Sequence, residues 1–525
     1  MRPFDRTRLR IQWAFGLIVL ALVVVGVGMA LGHGPDPESA PSESAGRQLR
    51  RQDSKPPEPP PLPPPAGPPV TAHGVSVLGS GIEAALNRLS KSTRTSVLVV
   101  DPETDEALYS YNADIALIPA SNQKIVTAAA LLRLVGKDFE FATPFRGTEP
   151  LRDGVLDGDL IVSGVGDPSL SGRYFEGRPF EAMRAVARAL KDTGLRRIKG
   201  SVLADTRAFS GPRTGPSWPQ ADAWRPWMVD VTPLVFNESR VDIVCEPQGD
   251  KVQIVFEPDV GYGSLRNRME LTAKKSEHNV IFLRPDASQE FTIRGKLWSG
   301  GRGFRDDASV ADGELYFVVA LTKALREVGV EVEHEAKLLT GNPADTALHP
   351  LFTYRSRLAT TLPSMLELSH NLFAELHFRR VAIAKGKPAS FAGASEAVLD
   401  WLDDEGLRVQ DTVVADGSGL SRDNRISARQ LAAILGRMYH DPQRDFFRNA
   451  LAEPGEVGTL SRRLKNLEGR VAAKTGTLNG ASALSGYAQA ASGRWLAFAS
   501  LFNGGSTADA RRAQDAICQA ICAAR

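Results

Sequence analysis

Ser121 and Lys124 stand three residues apart in Pro119-Ala120-Ser121-Asn122-Gln123-Lys124, directly before the apolar run Ile125 to Val135. On a helix, positions i and i+3 share a face, so this spacing lets the lysine amine reach the serine oxygen. A serine hydroxyl is a poor nucleophile until a neighbouring base takes its proton. A lysine becomes that base once burial disfavours its ammonium form. The N-terminus of the helix adds partial positive charge, which favours an anionic oxygen developing there. In isolation the pair also fits a capping serine beside a solvated lysine, so its meaning depends on what stands further along the chain.

Two later motifs supply that context. Ser369-His370-Asn371 falls at a break between two helical patterns, and Lys474-Thr475-Gly476-Thr477 lies in a strand followed by two more. S-x-x-K, S-x-N and K-T-G in this order resemble the penicilloyl serine transferases, which comprise penicillin-binding proteins and serine β-lactamases. Ser369 lies 248 residues (369 − 121) after Ser121, which leaves room for a large insertion. That spacing is similar to the low-molecular-mass class C penicillin-binding proteins, the D-Ala-D-Ala carboxypeptidase/endopeptidase family. Gly166-Asp167-Pro168-Ser169-Leu170 and Asp416-Gly417-Ser418-Gly419-Leu420-Ser421-Arg422 resemble the same family, and the likeness covers roughly residues 75–523.

The resemblance implies an α+β fold: a penicillin-binding-protein/serine β-lactamase-like transpeptidase domain, with a helical subdomain and an antiparallel sheet. It also implies a large strand-rich insertion after the S-x-x-K helix. The implied substrate is the peptidoglycan stem peptide, with β-lactams as acylating inhibitors and no cofactor or metal. A peptide carbonyl needs a nucleophile, a base, an oxyanion site and a grip on the substrate. Ser121 would attack, Lys124 would take its proton, and Ser369 would relay a proton to the leaving amine. Asn371 would hold the substrate amide or Lys124. Lys474 would attract the terminal carboxylate, with the Thr475 and Thr477 hydroxyls beside it. The resemblance assigns the oxyanion hole to the backbone N–H groups of Ser121 and Thr477. His370 departs from the Asp or Asn often found at the middle of S-x-N, which bears on pH response more than on catalysis. Asp416 and Arg422 read as loop-shaping residues. Two other readings remain open: a β-lactamase or esterase on the same scaffold, and a non-catalytic wall-binding protein.

The elements that must position these groups are legible in outline. Thr95 to Val100 reads as a strand ending at Asp101, turning through Pro102 to Asp105 into a second strand, Ala107 to Tyr111. The Ser121 helix follows and should end at Gly136. Between about 145 and 345 strands dominate, at Val252–Phe256, Val280–Leu283 and Glu290–Leu297, with helices over Phe180–Thr193 and Asp312–Val328. Trp218, Trp224 and Trp227 read as satellite packing. Helices return over Thr361–Leu368, Leu372–Lys385 and Ser395–Glu405. Ser427-Ala428-Arg429-Gln430 reads as a capping box. Strands Ala472–Leu478, Ser482–Gln489 and Trp495–Phe502 precede a last helix, Ala508–Ala523. The expected domains are therefore a discontinuous peptidase domain, 73–145 with 345–525, around an insertion at 146–344.

Composition removes other chemistries. With 63 basic and 61 acidic residues, no bulk field points to nucleic acid. The eight histidines form no H-E-x-x-H and no G-x-x-x-x-G-K-[ST] loop occurs, so metal hydrolysis and nucleotide binding lose their usual support. Cys245, Cys518 and Cys522 make no disulfide framework; the last two read as small buried residues on one helix face.

At the N-terminus, Arg2, Arg6, Arg8 and Arg10 precede an apolar stretch from Ile11 to Leu31, broken only by Gln12. Roughly 20 apolar residues span a bilayer. Residues 32–46 carry no Lys or Arg, so 1–10 is expected in the cytoplasm, 11–32 as a retained membrane anchor and the rest on the periplasmic face. Gly28-Met29-Ala30 supply the small residues a signal cleavage would need. Proline runs within 33–72 read as an extended spacer, able to hold a domain up to roughly 100 Å from the membrane.

Overall fold

The computed structural model describes residues 77–524, apart from 220–224, 226, 229, 285–287, 342 and 345–346. The expected anchor, the spacer and Trp224 lie outside the described residues. Among those described, no helix is long and apolar enough to cross a membrane.

The first hairpin forms as the β-branched pattern requires: Arg94–Asp101 pairs antiparallel with Glu106–Tyr111. These strands join the last three of the chain in one five-stranded sheet, ordered Val471–Leu478, Ala481–Gln489, Trp495–Asn503, Arg94–Asp101, Glu106–Tyr111. The Lys474 strand is thus an edge strand. Val97, Leu98 and Val99 are all buried because both faces of the sheet are covered. Val97 and Val99 meet the helices Val77–Leu86 and Thr507–Ala523, where Cys518 and Cys522 are free and buried. Leu98 and Leu501 face the opposite way, into a core shared with Ile434 and Leu435 of the helix Ala428–Tyr439.

The helix Gln123–Val135 is buried at every position from Gln123 to Leu132. A helix without a polar face belongs at the centre of a bundle. It is wrapped by Leu358–Glu367, Asn371–Ala384, Phe391–Asp404 and Ala428–Tyr439. Gly136 ends it at φ 77°, its N–H donating to the Leu132 carbonyl. The Ser427 hydroxyl caps Ala428–Tyr439 by accepting from the Gln430 N–H at 3.1 Å. The reciprocal half of the expected capping box is replaced: the Gln430 side chain accepts from Thr412 and donates to the Leu407 carbonyl.

Residues 140–357 build further sheets around a separate apolar cluster that includes Phe145, Met183, Ile243, Phe291 and Phe317. The helices Pro179–Asp192 and Gly313–Glu327 lie within a residue or two of their expected bounds. The outgoing strand Glu140–Gly147 pairs antiparallel with the returning strand His349–Arg357, Glu140 opposite Arg357. This pairing closes the intervening segment on itself. The chain therefore re-enters the helical layer beside the point where it left, and Asn371 comes back to Lys124 despite the long separation.

Candidate active site

Ser121 sits in a short 3-10 turn, Ala120–Asn122, and the α-helix begins only at Gln123. This corrects the expectation of one continuous α-helix through both residues. Ala120 takes a left-handed backbone, φ 47°, inside that turn, a conformation that persists only where packing over-determines it. Two contacts do so. Gly476 passes so close that a Cβ there would lie 3.0 Å from the Ser121 nitrogen, and one at Gly419 would lie 1.8 Å from the Ala120 carbonyl oxygen. Asn122 completes the lock by donating its side-chain N–H to the Lys474 carbonyl at 2.8 Å.

The Lys124 amine lies 3.1 Å from Ser121 Oγ, 2.8 Å from Asn371 Oδ1 and 2.7 Å from the Ser418 carbonyl oxygen. A neutral amine has two N–H bonds and one lone pair. Asn371 and Ser418 are both acceptors and take the two N–H bonds, which leaves the lone pair directed at Ser121. Burial pushes the Lys124 pKa down to about 7, against the pull of Glu375 and Asp416. The amine is thus available as a base near neutral pH.

Asn371 opens the helix Asn371–Ala384, and Glu375 lies one turn further on the same face. The buried Glu375 carboxylate accepts from the Gly417 and Ser418 N–H groups at 3.0 and 2.7 Å. Helix and loop are thereby joined, and the Ser418 carbonyl is held on Lys124. Burial, then Asp416, raises the Glu375 pKa to about 7. Asp416 shapes the loop as expected, accepting from the Gly419 and Ser421 N–H groups and from the indole of Trp218 at 2.9 Å. Arg422 donates to the Asn479 carbonyl, tying the loop to the end of the Lys474 strand.

Ser369 is left-handed, φ 62°, between the helices Leu358–Glu367 and Asn371–Ala384. Its hydroxyl makes no hydrogen bond among the described residues. His370 turns away from Ser121: its Nε2 lies 2.7 Å from Glu238 Oε2 in the intervening segment. Trp227 stands at the rim, 40 % exposed, its carbonyl accepting from Asn371 Nδ2.

Lys474 is fully buried and donates to the Thr475 carbonyl at 2.8 Å. Burial first, and Lys124 second, push its pKa well below the usual lysine range. Alternation places Thr475 and Thr477 on the strand face opposite Lys474, where the Thr477 hydroxyl accepts from Arg511 at 3.2 Å. Ala473 exchanges both backbone bonds with Ala452 across the outer edge. The same alternation turns the Thr475 and Thr477 N–H groups toward that edge. The structure thus gathers Ser121, Lys124, Asn371 and Lys474 directly. Against the expectation that both threonine hydroxyls stand beside the Lys474 amine, strand alternation turns Thr475 and Thr477 to the other face, where Thr477 Oγ1 meets Arg511, and leaves their backbone at the strand edge.

Glu375 and the Ser418 carbonyl were not among the sequence candidates. An acid four residues after Asn371 was the available signal for the first. A backbone carbonyl leaves none.

This arrangement predicts a rate profile. With the neutral Lys124 amine as base, acylation is expected to rise with pH through about 7 and level off above it. The limb reports Lys124 together with the Glu375 and Asp416 charges that act on it. Stopped-flow acylation between pH 5 and 9 checks it.

The fold is that of a penicillin-binding protein. It matches the crystal structure of penicillin binding protein 4 (dacB) from Haemophilus influenzae with a TM-score of 0.71 at 24% identity, covering 84% of this chain and 99% of that one. In sequence, the chain is 30% identical over 446 residues to a D-alanyl-D-alanine carboxypeptidase of Actinomadura sp. (strain R39), covering 81% of this chain and 80% of that protein. It is 26% identical to the D-alanyl-D-alanine carboxypeptidase DacB of H. influenzae, with 80% and 88% covered. Residues 81–523 match the D-Ala-D-Ala carboxypeptidase 3 (S13) family, and the chain belongs to it. It is a serine-type D-Ala-D-Ala carboxypeptidase.

Proposed function

We propose that the enzyme removes the terminal D-alanine from peptidoglycan stem peptides through an ester on Ser121, and that β-lactams acylate the same hydroxyl. The observation that carries this reading is the Lys124 amine, whose two acceptors leave its lone pair on Ser121 Oγ. Ser121 Oγ attacks the carbonyl carbon of the penultimate D-alanine, and its proton passes to Lys124. The oxyanion is received by the Ser121 and Thr477 N–H groups; one such donor contributes about 3–4 kcal/mol. Collapse breaks the C–N bond, and the proton returns to the leaving amine through Lys124 and the hydroxyl of Ser369, two residues before Asn371. Water then hydrolyses the ester by the same base.

The substrate lies along the outer edge of the Lys474 strand, so residues from both strand faces, Thr475 and Thr477 included, border it. Its carboxylate raises the Lys474 pKa again, because a negative neighbour favours the ammonium form that burial disfavours. The same ester chemistry serves a cross-link whose acyl donor is D-alanine, and we extend the proposal to endopeptidase action. The intervening segment acts as an inserted domain. Residues 11–32 hold the enzyme at the outer face of the membrane, a reading supported by the arginines before them and the Lys/Arg-free stretch after them.

Product analysis on uncross-linked pentapeptide and on cross-linked dimer muropeptides tests the bond specificity. Free D-alanine from the first and monomers from the second are expected. Intact pentapeptide after long incubation with folded enzyme would refute the hydrolytic reading. For the tether, membrane fractionation with N-terminal sequencing decides, and a mature start near Leu31 would refute retention.

A further inference from the structure

Glu238 lies in the intervening segment, 132 residues before His370, and is 1 % exposed. Its carboxylate collects five donors. Oε1 accepts from Ser171 Oγ at 2.8 Å and Arg173 Nε at 2.9 Å. Oε2 accepts from Arg173 Nη2 at 3.1 Å, lies 3.0 Å from Arg240 Nη2, and faces His370 Nε2 at 2.7 Å. The Phe373 N–H points at His370 Nδ1, which makes Nδ1 the acceptor and Nε2 the protonated nitrogen that donates to Glu238. The ring also packs on Phe373, with centroids 4.2 Å apart.

The backbone on both sides of this bond is strained. Asn237, Glu238 and Ser239 take φ of 45, 59 and 52°, three consecutive left-handed residues of which none is glycine. Across the bond, Ser369 is left-handed as well, φ 62°. Such conformations persist when surrounding structure over-determines them, and they cluster where a functional group must be aimed. One hydrogen bond joins the two strained turns, and its far side carries Ser369 and Asn371.

We propose that Glu238 is a positioning residue: through the His370 ring it fixes the turn that presents Asn371 and Ser369 to Lys124, so the intervening segment is a working part of the acylation site. The inference rests on the reading of Ser121 as the acylated residue. The groups facing the pair are Arg173, Arg240, which is itself paired with Asp307, and the Ser171 hydroxyl. Burial opposes the charge of Glu238, but Arg240, Arg173 and the His370 contact outweigh it and hold the carboxyl well below its usual range. Burial first lowers the His370 pKa from its usual range, against Glu238 and with the help of both arginines. The bond therefore joins an anion held by two arginines to a ring whose neutral form burial favours.

The test separates the donor from the packing. His370→Phe keeps a ring on Phe373 and leaves Glu238 with its arginines, but deletes the N–H. His370→Gln keeps an N–H within reach. Acylation by a fluorescent penicillin and D-alanine release are measured per titrated active site, with melting temperatures alongside. His370→Phe is expected to lower the acylation rate and kcat by between about tenfold and a hundredfold, the scale of a small misplacement, with KM within about twofold. His370→Gln should recover most of that loss. Glu238→Met, which removes the acceptor, should lose at least as much as His370→Phe, and the double variant should be no slower than the slower single, since both act through one bond. Folded His370→Phe acylating at the wild-type rate, His370→Gln as slow as His370→Phe, or multiplying losses in the double variant would each overturn the proposal. Wild type that never acylates would overturn the reading of Ser121 and this inference with it. Wild type that acylates, matched by His370→Phe, overturns this inference alone.

Discussion

Lys124→Met is expected to lower acylation by about 10⁴- to 10⁶-fold, the range seen when one member of a nucleophile–base unit is removed, while the protein remains folded. The side chain is fully buried, and its amine touches Ser121 Oγ, Asn371 Oδ1 and the Ser418 carbonyl. Methionine fills similar volume without a lone pair to offer. Lys124→Arg should fare no better, because guanidinium stays protonated at any working pH and cannot take the Ser121 proton. A second consequence has a definite sign. Lys124 helps to depress Lys474, so removing the amine should raise the Lys474 pKa. NMR titration of Lys474 below pH 7, where Lys124 is charged, checks that upward shift. Wild-type acylation rates in a folded Lys124→Met protein would contradict the assignment of the base.

Gly419→Ala should be nearly as damaging, through the backbone rather than the chemistry. Gly419 sits at φ 82°, and an added Cβ would fall 1.8 Å from the Ala120 carbonyl oxygen and 2.5 Å from its carbon. Neither atom belongs to a flexible side chain, so either the loop or the Ser121 turn must move. The neighbouring Ser418 carbonyl would leave Lys124 with it. A loss of acylation of about a hundredfold or more is expected, with a stability loss of about 3 kcal/mol or more, the class of effect reserved for forced backbone rearrangement. Gly480→Ala is the matched control. It has a similar φ of 71° but nothing within 4 Å of the added carbon. It should cost only about 1–2 kcal/mol of left-handed strain and leave acylation unchanged. Similar behaviour of the two variants in urea melts and in penicillin acylation would show that the close approach at Gly419 is immaterial.

The gap between reading the chain and seeing it folded follows a physical pattern. Periodicity located the hairpin at Asp101, the buried helix before Gly136 and the three closing strands, because each is a local pattern whose period reports the face it buries. The three motifs were legible because side-chain chemistry recurs at fixed spacing. Interactions that depend on a partner far away in sequence left no such trace. The 3-10 turn at Ser121 is imposed by Gly476 and Gly419, hundreds of residues downstream. The missing half of the Ser427 capping box went to Thr412 and Leu407, which local sequence cannot weigh. Glu375 sat one turn beyond a recognised motif residue and was readable in principle. Glu238 was not, since its meaning arises only when the intervening segment folds back on His370. The far-face placement of the Thr477 hydroxyl follows from strand alternation alone and was legible once the strand was accepted.

The central claim is that Ser121 carries the acyl group with Lys124 as its base. The most direct measurement is mass spectrometry of the enzyme trapped with a penicillin, followed by peptide mapping, for wild type and Ser121→Ala. One adduct per wild-type chain is expected, located on the peptide containing Ser121, and none in the alanine variant. An adduct that persists in Ser121→Ala, or that maps to another residue in the wild type, would contradict it.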